Sequence, residues 1–353
     1  MTCGKAIINE KSRLLLNEGV TLDENLITAI KKTGLSGIYI TDKYSKDIFV
    51  EDIISDTQRA NSVRSIKNMF ESLASGKPVT SAKVDAVTKS IGDIVDAILA
   101  KESLNANLID LKIFDDYTYY HSVNVGVLSI VVGKAMGLSK INLRSLGISA
   151  MLHDIGKVFI SKALLNKPEK LTPEEFEIMK SHSSKGYEYL SMQTDYDDSI
   201  LEAVMDHHEK SDGCGYPNGK TRNEISTFGS IITIADVFDA LTSDRPYRPA
   251  MPAQEAIEYI IGCAESSFSD KVVYAFLHNV TPYSPGMLIR LSNGADAVVI
   301  SNTSANCLRP KIRVVRENGT EVTPYLIDLY NDLKSLNITV TGPALLDDCA
   351  KGD

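Results

Sequence analysis

The sequence predicts a mainly α-helical protein with a small mixed α/β segment at its amino end and a small β-rich extension at its carboxyl end. Three observations carry that expectation. Apolar residues recur at helical spacing from about residue 51 to about 278, the period turns strand-like beyond "TPYSPG" (281–286), and "GIYIT" (37–41) reads as a Gly-bounded strand.

Within residues 1–50, Leu22, Leu26, Ile27 and Ile30 form one face of a short helix ahead of that strand. Residues 51–102 read as a helical connector, broken at Lys77-Pro78 and continued by "TSAKVDAVTKSIGDIVDAILA" as a long amphipathic helix. From 103 to 283 the pattern stays helical apart from a Gly/Pro-rich loop at 211–219. In the last segment, 284–353, "MLIRL", "DAVVIS" and "KIRVVR" read as strands, and Asn293-Gly294 and Asn318-Gly319 as tight turns.

At 353 residues the chain exceeds one ordinary core, so two or three domains are expected. A hydrophobic fraction of 43% and a charged fraction of 24% are those of a soluble globular protein. No apolar run is long enough to span a bilayer and "MTCGKAIINEKSR" lacks a signal-peptide core, which points to the cytoplasm. The five cysteines are scattered and form no CxxC pair, which argues against a disulfide framework or a structural zinc site. A net charge of −9 speaks against a nucleic-acid polymer as partner, so any phosphate ligand needs local positive charge.

"AMLHDIGKVFI" (150–160) sets His153, Asp154 and Lys157 into an apolar, helical-looking segment, where polar groups are costly to bury unpaired. Of six histidines in the chain, five (His121, His153, His182, His207 and His208) fall between 121 and 208. One histidine alone would read as a hydrogen-bonded core or surface residue; five together point to metal. On helices the pairs His153-Asp154 and His207-His208 would diverge by about 100° and serve two neighbouring centres. Asp236, in "IITIADVFDAL", adds a carboxylate that is either a ligand, an ion-pair partner or a cap. Imidazole and carboxylate without thiolate suit iron, manganese or zinc, and two such ions about 3.5–4 Å apart can share a hydroxide and clamp a phosphoryl group. Lys157, one turn after His153, is placed for an anion unless it merely snorkels to the surface. Glycines at 213, 215 and 219 mark a loop with special backbone angles.

The stretches "HDIGK" (153–157), "HHEKSDGCGYP" (207–217) and "DVFDALTSDRPYR" (236–248), with "YYHSVNVG" upstream of the first and "MKSHSSKGYEYL" around His182, resemble the HD-GYP family of HD-type metal-dependent phosphohydrolases. The resemblance covers roughly 103–280 and implies an all-helical HD-type domain that hydrolyses cyclic di-GMP to linear pGpG, and onward to GMP, by attack of a metal-bridging hydroxide. It implies His121, His153, Asp154, His182, His207, His208 and Asp236 as ligands of two divalent ions, iron or manganese before zinc, with Asp154 bridging. Lys157 would face the scissile phosphate, and Tyr216, Arg245 and Arg248 would contact substrate. From the residues alone, the two arginines are a solvated face or a phosphate or guanine contact. A GGDEF-type or other signalling partner at the Gly-Tyr-Pro loop and a homodimer complete the expectations. Two other functions compete: a phosphodiesterase for another cyclic dinucleotide such as cGAMP, and a non-catalytic signalling and docking module, against which the intact ligand set and Lys157 argue. Some family members hold a third metal with an acidic residue four positions before the first histidine. Here that position is Tyr117, whose phenol must lose a proton to bind strongly, so two ions are expected. Cys214 reads as a small loop residue rather than a redox sensor.

Overall fold

The computed structural model describes residues 1–8, 14–32, 38–48, 50–101, 106–107, 117–244, 249–264 and 266–344. The expected division of labour holds: the middle of the chain is helical and the end is a sheet. At the amino end, β1 (Thr2–Cys3) pairs antiparallel with β4 (Ile40–Thr41), and β2 (Ile7–Ile8) with β3 (Leu14–Leu16). Between them α1 (Glu24–Lys31) starts where Asp23 accepts from the Leu26 amide at 2.8 Å. Of the strand expected at 37–41, residue 37 lies outside the described residues, and Ile40–Thr41 pair with the two residues of β1.

The helical body begins with α2 (Asp56–Ala74), opened by a capping box between Ser55 and Gln58. After the break at Lys77-Pro78 comes α3 (Ser81–Leu99). A two-residue strand, β5 (Ala106–Asn107), leads to α4 (Tyr117–Ala135) and α5 (Lys140–Leu152). Then follow the short α6 (Lys162–Leu165), α7 (Pro173–Gln193), α8 (Asp198–Asp206), α9 (Thr227–Thr242), α10 (Ala253–Gly262) and α11 (Asp270–Asn279). Strand β6 (Val280–Thr281) closes the body by pairing parallel with β5. One core unites these helices. Ile66 and Met69 of α2, Ile91 and Ile94 of α3, Leu128 of α4, Leu146 of α5, Phe238 of α9 and Phe276 of α11 are all fully buried in it. Each such side chain contributes about 1.5–3 kcal/mol by leaving water.

The carboxyl-terminal sheet comprises β7 (Leu288–Leu291), β8 (Asp296–Ser301), β9 (Lys311–Glu317), β10 (Thr320–Asp328) and β11 (Val340–Pro343). It is antiparallel throughout, in the order β10-β9-β8-β7-β11. The turn at Asn318-Gly319 takes positive φ at both residues (50° and 80°), the geometry a tight hairpin needs. Distant parts of the sequence meet here: Tyr44 packs on Val298 and Val315, and Arg313 donates to the Tyr44 carbonyl and pairs with Asp47.

The segment 150–160 departs from the expected continuous helix. α5 stops at Leu152, and Ile155–Phe159 form a 3-10 turn. The cause is Gly156. A Cβ there would lie 1.9 Å from the His182 carbonyl oxygen and 2.6 Å from the Gly186 nitrogen, so only glycine lets this turn press against α7. Gly156→Ala is therefore expected to lower the urea unfolding midpoint, at a cost of about 1–3 kcal/mol or more because backbone, not a flexible side chain, must yield. A parent-like midpoint would show that the turn and α7 do not need this contact.

Candidate metal centre

Five helices converge on one buried pocket. His121 comes from α4, His153 and Asp154 from the end of α5, His182 from the middle of α7, His207 and His208 from the end of α8, and Asp236 from α9. Both adjacent pairs straddle a helix C-terminus rather than lie within a helix, since His153 and His207 are the C-cap residues of α5 and α8. Two negative helix ends at one place favour a cation there, each by about 0.3–1 kcal/mol.

The hydrogen bonds fix which nitrogen faces the pocket. His153, His182 and His207 each set Nδ1 at 2.7 Å from the carbonyl three residues earlier, those of Ala150, Met179 and Val204. A carbonyl only accepts, so Nδ1 carries the hydrogen and Nε2 turns a lone pair inward. His182 Nε2 and His207 Nε2 then lie 3.2 Å apart. Burial first, and neighbouring imidazoles after it, hold His207 well below its ordinary pKa. Burial likewise lowers His182, and brings His208 to about 3. These are neutral rings with facing lone pairs, a contact that repels unless a cation sits between them.

Asp154 is the shared element. Its Oδ1 lies 3.4 Å from His182 Nε2 and 4.0 Å from His207 Nε2, while Oδ2 lies 3.3 Å from His153 Nε2 and 3.8 Å from His121 Nε2. Two groups result, Asp154-His182-His207-His208 and His121-His153-Asp154, within each of which the ligand atoms lie within 4.8 Å of one another. Asp236 Oδ1 stands 3.1 Å from His121 Nε2 and its Oδ2 stands 4.0 Å from His208 Nδ1. Asp154 Oδ1 and His153 Nε2 are buried with no hydrogen-bond partner. Buried acceptors without donors are expensive, so the donor set fits a metal ion and explains why the pocket tolerates its own polarity.

Lys157 projects from the 3-10 turn, with Nζ 2.5 Å from Asp154 Oδ2 and its side chain 35% exposed. It thus joins buried carboxylate to open solvent. Tyr216 packs against His208 with ring centroids 4.7 Å apart and the rings tilted by 31°, and forms a wall with Phe176, over which lies the Lys180 ammonium. The loop carrying Tyr216 is held from below: Glu209, 1% exposed, accepts from the Asn218 and Lys220 amides, and Asp206 pairs with Lys220. Gly215 passes so close to Glu209 and Lys210 that a Cβ would sit 2.4 Å from the Lys210 nitrogen.

The structure therefore brings together His121, His153, Asp154, Lys157, His182, His207, His208, Asp236 and Tyr216. Arg245 and Arg248 lie outside the described residues, as does the side chain of Tyr117. Asp239 and Asn124 escaped the sequence reading. Asp239, 2% exposed, holds His121 Nδ1 at 2.7 Å and accepts from Asn124 at 3.1 Å. Their signal was periodic: each follows a ligand candidate by three residues, on the same helix face. Glu209 also went unassigned, since nothing in "HHEKSDGCGYP" shows which acid turns inward.

A helical body with two His/Asp clusters joined at one aspartate is the architecture of an HD domain. The HD domain family matches residues 104–272, and the chain carries a Gly-Tyr-Pro loop that resembles that of HD-GYP proteins. "Cyclic di-GMP phosphodiesterase PA4108" of Pseudomonas aeruginosa is 32% identical over 249 residues, which are 70% of this chain and 59% of that protein. "3'3'-cGAMP-specific phosphodiesterase 3" of Vibrio cholerae is 34% identical over 180 residues, 51% of this chain and 35% of that protein. The chain thus spans less than two thirds of either relative. Among solved structures, the HD-GYP-type protein Bd1817 of Bdellovibrio bacteriovorus superposes with a TM-score of 0.53 at 18% identity, covering 78% of this chain and 92% of that one, and supports the fold. No helix among the described residues is long and apolar enough to cross a membrane.

Without metal, His121 must keep a proton between its two carboxylates. Burial pulls its pKa down, but the bonds to Asp236 and Asp239 outweigh burial and raise it from 6.5 to about 10. A raised folded-state pKa means stabilisation that is complete below about pH 6.5 and lost as pH climbs through about 10. Chelator-stripped parent should accordingly exceed stripped His121→Gln in urea midpoint at pH 7, with the gap closing toward pH 10. A gap that stays constant over that range would show that no proton is held there.

Proposed function

We propose that this chain is a phosphodiesterase that opens cyclic di-GMP to linear pGpG, and onward to GMP, at a centre of two divalent cations. The observation that carries the reading is the pair of clusters sharing Asp154, in which Asp154 Oδ1 and His153 Nε2 are buried without a hydrogen-bond partner. His121, His153, Asp154 and Asp236 would hold one ion, and Asp154, His182, His207 and His208 the other. The all-nitrogen-and-oxygen set favours iron or manganese, with zinc as the third choice. Divalent cations held there would acidify the attacking water and take up charge that develops on the phosphoryl oxygens.

The chain's own residues do the rest. Lys157, already on Asp154 and partly exposed, is placed to donate to a phosphate oxygen beside it. Tyr216 and Phe176 offer ring faces to a purine, and burial keeps the Tyr216 phenol protonated as a donor. Water adds to phosphorus, the bond from phosphorus to O3′ breaks, and the water proton ends on the departing oxygen. A protein of net charge −9 attracts a dianion only through such local positive charge. On this reading the catalytic domain runs from 103 to 283, and Arg245 and Arg248 contact substrate. The exposed Asp212, Cys214 and Asn218 of the Gly-Tyr-Pro loop are where a GGDEF-type partner would dock.

The test is anaerobic purification, metal analysis and turnover of cyclic di-GMP, 3′3′-cGAMP and cyclic di-AMP on one preparation. Cyclic di-GMP should turn over fastest, with two equivalents of metal. Asp154→Ala should lose both metal and activity. Lys157→Ala should keep metal while kcat falls about 10²–10³-fold. A metal-loaded parent without turnover would sink the enzymatic reading, and faster hydrolysis of cGAMP would transfer it to the mixed dinucleotide.

A further inference from the structure

Helix α2 lies outside the segment that matches the HD domain family, 104–272, yet one of its side chains reaches the support of the metal centre. Arg59 is only 4% exposed, and its Nη1 donates to Asn124 Oδ1 at 3.1 Å. Asn124 Nδ2 donates in turn to Asp239 Oδ1 at 3.1 Å, and Asp239 Oδ2 holds His121 Nδ1 at 2.7 Å.

This chain of contacts has a fixed polarity. A guanidinium only donates, so Arg59 draws the oxygen of the Asn124 amide toward itself and leaves the NH2 end for Asp239. With Oδ1 taken by Asn124, the Asp239 carboxylate turns Oδ2 to the ring N–H of His121. His121 Nε2 is then left facing Asp154 and Asp236. Without Arg59 the amide can turn over and set its oxygen against the carboxylate. That contact repels, and the hold on His121 loosens.

We infer that Arg59 is a positioning residue for the His121-His153-Asp154 half of the centre, supplied by a helix outside the HD domain. The inference rests on the metal-binding reading above. Groups that orient metal-bound histidines are worth about 10–100-fold in metal affinity, and the effect should fall on the half that contains His121.

The experiment titrates chelator-stripped full-length chain with Mn2+, reading free ion by electron paramagnetic resonance. Variants are Arg59→Ala, Arg59→Lys, Arg59→Met and Val63→Ala, the last changing a buried apolar residue of the same helix. The parent should bind two equivalents. Arg59→Ala should keep one at parental affinity and weaken the other about tenfold or more, and Arg59→Lys, which can still donate to Asn124, should recover most of that loss. Arg59→Met keeps the apolar stem without the donors and should show the same split, which decides the matter if Arg59→Ala does not fold. Val63→Ala should lower the unfolding midpoint and leave both affinities alone. A parent that binds no manganese overturns the metal reading itself. Parental affinity at both sites in the Ala and Met variants, or equal weakening of both sites in Arg59→Ala and Val63→Ala, overturns the positioning role and leaves the metal reading standing.

Discussion

Everything in the helical body answers to one constraint: a buried carboxylate, Asp154, faces imidazole lone pairs on both sides. Its pKa lies well below the ordinary range; burial works against that, and Lys157 and the neighbouring histidines outweigh burial. An anion among acceptors is the costliest arrangement a core can hold, and it is stable only with cations in reach. Lys157 supplies positive charge on one oxygen; the two negative helix C-termini, and the imidazoles that the Ala150, Met179 and Val204 carbonyls commit to presenting lone pairs, deepen the demand for a further cation.

That demand explains where the helices break. A continuous helix through 150–160 would carry Asp154 about 100° around from His153 and away from α7. Ending α5 at Leu152 and tightening the next turn brings Asp154 under His182, and the turn can be tight only because Gly156 carries no side chain. The loop after α8 obeys the same logic. Glu209 and Asp206 are buried acids, but both are saturated by amides and by Lys220, so they anchor the loop instead of drawing a metal. Burial alone therefore does not mark a ligand. Lack of donors does.

Much of this was legible in the sequence because the chemistry is carried by rare residue types. Five histidines concentrated in fewer than a hundred positions cannot hide, and adjacent His-Asp and His-His pairs announce convergence. The helix periodicity likewise located α3 with good bounds. What could not be read was orientation. Asp236 and Asp239 look alike in "DVFDAL", and only the fold decides that one faces the centre while the other grips His121 from behind. Strand β10 was missed for a different reason: it is an edge strand, largely exposed and interrupted by Pro324, so it lacks the Val/Ile run that betrayed β8 and β9.

The least expected feature is how far the support of the centre extends along the chain. Lys5, in the amino-terminal segment, pairs with Asp52 and approaches Asp56, the first residue of α2. Arg59 stands one turn further along that helix and enters the polar chain to His121. Tyr44 and Asp47, also from the amino-terminal segment, rest on the carboxyl-terminal sheet through Val298, Val315 and Arg313. Exposed ion pairs such as Arg313 with Asp47 are each worth little. The buried chain from Arg59 is a different matter, because its links lie out of water and each one orients the next. Rigidity at the metal pocket is thus tied to the seating of α2, and α2 is seated by apolar packing of Ile66 and Met69 as well as by its contacts with the amino-terminal segment. A segment outside the HD domain then has a physical route to the geometry of His121, through the bonds from Arg59 to Asn124, from Asn124 to Asp239 and from His121 to Asp239.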